Sequence, residues 1–126
     1  MDEPYATSTE NWTVSYWDSS GNGYRFTANP DGTARFVYRP VTPEQSSSGT
    51  YSGGDPCEAT LEPRDVAALF ERVNELAASS ALHIEKRQMG TGQFRIHEGD
   101  MVRRFILRNG SALRAFNAFV VGFREV

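Results

Sequence analysis

In "WTVSYW", Trp12, Val14 and Tyr16 alternate with Thr13, Ser15 and Trp17, the two-residue period of a strand with one buried face. "YRFTA" and "ARFVYR" repeat the alternation and add Tyr24, Phe26, Ala28, Ala34, Phe36 and Tyr38 to the apolar side. The pattern predicts a three-stranded meander with turns at "DSSGNG" and "NPDG". In the second turn Pro30 presets φ at the first central position, and Gly32 can take the left-handed conformation that closes such a hairpin.

The periodicity stops at Val41. Residues 41–60 are rich in Ser, Gly, Pro and Thr and read as a long loop insert, with "GTY" and "CEATL" as candidate short strands. "EPRDVAALFERVNELAASS" then has helical spacing. Pro63 sits at its first turn, Asp65 near its N-terminal dipole, and Val66, Leu69, Phe70, Val73, Leu76 and Ala77 form one apolar stripe. A second strand set is expected from "LHIEK", "QFRIH" and "MVRRFIL". A final helix starting near Ser111 turns Leu113, Phe116, Val120 and Phe123 inward. The expected fold is a single α+β domain over 1–126, a two-layer antiparallel β-sheet with two helices on one face, preceded by a flexible N-terminus at 1–10.

A shift of 69 residues lays Gly21, Gly23, Asp31, Arg35, Phe36 and Arg39 onto Gly90, Gly92, Asp100, Arg104, Phe105 and Arg108. That correspondence suggests an internal β-β-β-α duplication with 41–60 inserted in the first unit only. The match is imperfect, because Val14 and Tyr16 would stand opposite His83 and Glu85. Strand parity makes a further point. With Phe36, Tyr38, Phe105 and Leu107 inward, Arg35, Arg39, Arg104 and Arg108 face the other way, and Arg25, Arg95, His97 and Trp17 join them.

Composition sharpens the picture. The chain has 126 residues with 39% hydrophobic and 12% aromatic, enough for one ordinary core. Net charge is −3, but residues 1–80 carry five Arg and twelve acids, whereas 81–126 carry eight basic residues and four acids. Arg supplies twelve of the thirteen cations, which fits either bidentate recognition of anions or a GC-rich genome. No apolar run is long enough to span a membrane, "MDEPYATSTE" has no signal-peptide character, and the lone Cys57 permits no internal disulfide, so a cytoplasmic location is expected.

The chemistry-bearing residues are few. Asp18, Ser20 and Asn22 before Gly23 imitate the opening of a calcium loop, but the twelfth position is Asn29 and the flanks read as strand. Two histidines without Cys or acids at ligand spacing make no zinc site, and no cofactor motif is present: "MGTGQ" is a lone GxG without a following helix. Cys57 with His83 or His97 could form a nucleophile and base, but a single Cys beside a strand is more often a small buried hydrophobe, and the histidines read as strand surface.

Two features suggest binding. One is the Arg face, which an open antiparallel sheet would carry for solubility alone, and which could also grip carboxylates with Trp17 alongside. The other is the 41–60 loop, a plain connector or an adaptable recognition loop anchored by Tyr51. The plan resembles many small bacterial α+β domains, a resemblance that assigns no residue a role. The expectation is a non-catalytic protein-binding module, of inhibitor, immunity or adaptor type, acting through Trp17, Arg35, Arg39, Tyr51, Arg95, Arg104 and Arg108 on an acidic partner. A pocket near Cys57 and His97 for a small molecule or an enzymatic reaction is the first alternative. Nucleic-acid binding is the second, disfavoured by the acidic remainder.

Overall fold

The first strand among the described residues is the middle of the sheet. In the computed structural model, which describes residues 11–46 and 48–125, β1 (Trp12–Trp17) pairs on one side with β2 (Gly23–Ala28) and on the other with β6 (Gly92–Glu98). Beyond β2 lie β3 (Ala34–Arg39) and β4 (Cys57–Leu61). Beyond β6 lie β7 (Met101–Leu107) and the two-residue β5 (His83–Ile84). The order is β4-β3-β2-β1-β6-β7-β5, with every neighbour antiparallel. The expected flexible N-terminus at 1–10 falls outside the described residues.

Both helices cover one face, giving the two-layer α+β fold. Helix α1 (Pro63–Ala78) opens with Pro63 in its first turn and Asp65 near its N-terminus, and buries Val66, Leu69, Val73 and Leu76. Phe70, half-buried, sets its ring at 88° to Trp12 with centroids 4.7 Å apart. Helix α2 (Ser111–Val121) buries Leu113, Phe116 and Val120, and Phe116 meets Tyr16 edge-on at 5.0 Å. Phe123 belongs to the 3₁₀ turn that follows (Gly122–Glu125), where it lies 5.9 Å from Phe26. The inward positions of the strands, Trp12, Val14, Tyr16, Tyr24, Phe26, Ala34, Phe36, Tyr38, Phe94 and Ile96, are all buried.

Four local expectations need correction. "LHIEK" gives only His83–Ile84 as strand, because Glu85 to Met89 are exposed and have no apolar face to bury. "GTY" forms no strand: the loop closes on itself there, Gly53 N–H donating to Val41 O at 2.9 Å. His83 is not a surface residue but turns to the helical layer, stacking on Phe105 at 4.7 Å with its Nε2 2.9 Å from Leu76 O. Phe36 and Phe105 both face the helices, yet Phe36 is fully buried and Phe105 only partly. As for the 69-residue correspondence, the β2-β3 and β6-β7 hairpins match, but β5 pairs with β7 where a repeated meander would pair it with β6.

Candidate functional site

The uncovered face of the sheet gathers one sign of charge. Its strand positions include Arg25, Arg35, Arg39, Arg95 and Arg104, against the single acid Glu58. Sheet register fixes how they meet. Arg25 on β2, Ser15 on β1, Arg95 on β6 and Arg104 on β7 stand in one transverse row, each directly opposite the next. Trp17 lies in the adjacent row beside Gly23 and Gln93, and the Arg95 guanidinium carbon sits 5.6 Å from its ring centroid. The Trp17 indole lies against Gly23, its Nε1 3.5 Å from where a Cβ would lie, an ordinary contact distance.

Arg35 is the member already neutralised, its Nη2 3.0 Å from Glu58 Oε1. Among the described residues Arg25, Arg39, Arg95 and Arg104 make no ion pair. The buried Nε of Arg95 has no hydrogen-bond partner there either, so the row carries an unsatisfied donor as well as unpaired charge. Two hollows flank the Arg25–Ser15–Arg95 line, one of about 300 Å³ running to His97 and one of about 230 Å³ running to Trp17 and Arg39.

Two of the expected binding residues lie elsewhere. Arg108 is past the end of β7, its N–H donating to Leu82 O at 2.9 Å, and it lines a separate hollow at the start of α2. Tyr51 is on the helix side of the sheet, where its hydroxyl accepts from Asn22 Nδ2 at 3.0 Å. Tyr51 is therefore not on the Arg face. Asn22, 4% exposed, is the pin: its Oδ1 also accepts from Val41 N–H at 2.8 Å, while its Nδ2 and its backbone N–H reach the Asp18 carboxylate. A Cβ on Gly53 would run into Asn22 Oδ1, which explains glycine at the loop's neck. The calcium-like run "DSSGNG" is thus a turn closed by Asp18 and Asn22, and among the described residues no three His, Cys, Asp or Glu come together as metal ligands.

That pinned loop, the β1-β2 turn and α2 border an open cleft of about 770 Å³ that the alternation pattern could not reveal. At its floor the Tyr16 hydroxyl donates to Asn117 Oδ1 at 2.9 Å and the Tyr38 hydroxyl to Gly53 O at 2.7 Å. Arg124 lies 4.0 Å over the Tyr38 ring and donates to the Tyr24 hydroxyl at 3.3 Å. Burial raises the pKa of all three tyrosines, that of Tyr38 to about 12. The expected pocket near Cys57 and His97 does not form. Cys57, opposite Tyr38 on β3, faces the helical layer with its Sγ 4.0 Å from Arg124 O, and His97 is on the open face. A single pocket cannot hold both.

Compared with known proteins, the chain matches no family model and no curated protein. Among the described residues no helix is long and apolar enough to cross a membrane.

Proposed function

We propose that this protein is a non-catalytic binding module, of inhibitor, immunity or adaptor kind, whose open sheet face docks an acidic surface of a protein partner. The observation that carries the reading is the charge segregation: five Arg to one acid on one sheet face of a chain whose net charge is −3. An exposed polar sheet needs no such bias, since mixed charges would solvate it with less self-repulsion. A planar guanidinium fork matches a carboxylate bidentately, and Arg and Trp are the residues that most often dominate interface energies.

The Arg residues are spread over four strands of the face and neither hollow on it exceeds about 300 Å³, the low end for small-molecule sites, which favours a macromolecular surface over a small ligand. Single-stranded nucleic acid is a poorer fit. Sheets that bind it offer two or three neighbouring aromatic platforms for stacking, and here the rings on the face among the described residues are Trp17 and His97, set two rows apart on different strands. The cytoplasm, where acidic protein surfaces are plentiful, is the proposed location.

The test is capture from the source cell with the wild type and with the double variant Arg25→Glu/Arg104→Glu, both exposed positions. An acidic protein retained by the wild type through nuclease treatment, and lost with the variant, is the expected result. Its association rate should fall as salt rises. Equal capture by both proteins, or capture abolished by nuclease, would overturn the proposal.

A further inference from the structure

We propose that the cleft between the β1-β2 turn, residues 51–53 and α2 binds a small organic anion, a carboxylate or phosphate on a compact apolar or aromatic body. The site is on the helix side of the sheet and independent of the Arg face. Its volume of about 770 Å³ falls in the range of small-molecule sites.

The sign of the ligand follows from which hydrogen-bonding groups remain free. Asp18 is the one acid in the lining, and its carboxylate is engaged by Ser20 N–H, Asn22 N–H and Asn22 Nδ2 at 2.9 to 3.3 Å. The charge balance of the lining is cationic, Arg114 and Arg124 against Asp18. Arg114 is exposed on α2 and, among the described residues, makes no ion pair or side-chain hydrogen bond. Arg124 uses one N–H on the Tyr24 hydroxyl and one on Gly53 O, leaving the rest of its five donors. The Tyr16 hydroxyl fixes the Asn117 amide by donating to its Oδ1, so the Asn117 NH₂ is left to donate. Two guanidiniums and an oriented amide thus line the same cleft as the apolar side chains of Leu113 and Val121. An anion with an apolar body satisfies both; a cation would meet two Arg side chains and an occupied Asp.

The experiment is a heteronuclear NMR titration of the full chain with benzoate, phenyl phosphate and the neutral isostere benzamide. At least one anion should give saturable shifts at the Asn117 side-chain amide and at the Asp18–Asn22 turn, and the stronger of the two identifies the head group. Benzamide should not. Arg114→Ala should weaken binding about tenfold or more, as expected for a lost charge-assisted hydrogen bond, with the melting temperature unchanged. Asn117→Asp, which puts a negative charge among the donors, should abolish it. Saturable binding of benzamide equal to that of benzoate, shifts that never saturate, or unaltered affinity in Arg114→Ala would each refute the assignment.

Discussion

Arg95 on β6 stands directly opposite Arg104 on β7, two cations facing each other across one ladder with no acid between them. Like charges in that relation destabilise a sheet, whereas an opposite-charge pair there contributes roughly 0.2 to 1 kcal/mol. Arg104→Glu should therefore raise stability by about that amount, measured by urea denaturation, while weakening any partner that docks on the face. A less stable variant would mean that Arg104 is held by a favourable contact within the molecule.

Asn22 should matter more to the long loop than any residue of the loop itself. Truncation to Ala removes the acceptor of Val41 N–H and the donors to Tyr51 and Asp18, at a cost of about 2 to 4 kcal/mol. Limited proteolysis should then cut faster between residues 42 and 52. Gly53→Ala, which drives a methyl group into the Asn22 carboxamide, should give the same cleavage pattern. Unchanged cleavage in both variants would show that the loop is held by other means.

Phe36 and Phe105 separate what sequence correspondence joins. Phe36→Ala should cost about 3 to 5 kcal/mol, the range for a fully buried aromatic. Phe105, stacked on Phe94 at 4.7 Å but partly open to solvent, should cost about 1 kcal/mol less or lower still. Paired denaturation curves give the comparison, and equal losses would contradict the burial difference.

The buried tyrosines set an alkaline limit. Burial favours the neutral phenols of Tyr16, Tyr24 and Tyr38, so the folded state holds its protons to higher pH than the unfolded chain, whose tyrosines ionise near 10. That stabilisation is complete below about pH 10 and is lost as pH climbs through the folded values, about 12 for Tyr38. Tyrosinate absorbance from these three rings should appear together with unfolding. Their ionisation in a molecule that keeps its native circular dichroism would refute this.

Strand and helix positions were legible because each buried face has a period: Trp12, Val14 and Tyr16 announce one strand, and Val66, Leu69, Val73 and Leu76 announce a helix. The same parity placed Arg25, Arg35, Arg39, Arg95 and Arg104 on the open face, but only register shows that Arg25, Arg95 and Arg104 share a row. Long-range partners leave no local mark. Nothing around Tyr51 discloses that Asn22 holds it to the helix side, and nothing around Asn117 discloses its bond to Tyr16. Cys57 and His97 looked combinable because sequence spacing carries no information about which side of a sheet each residue meets.

The central place of β1 also governs assembly. As the chain emerges, β1 can pair at once with β2 through a short turn, but its other edge must wait for Gly92–Glu98, far later in the sequence. Until then Val14 and Tyr16 lie beside an unpaired backbone edge in an unfinished half-sheet, the condition in which a foreign strand can add. Closing the β1-β6 seam is a non-local step whose loop entropy must be met before its contacts form, so it should be the slow event in folding. Substitutions along that seam should therefore show as lost yield and aggregation before they show as lost affinity.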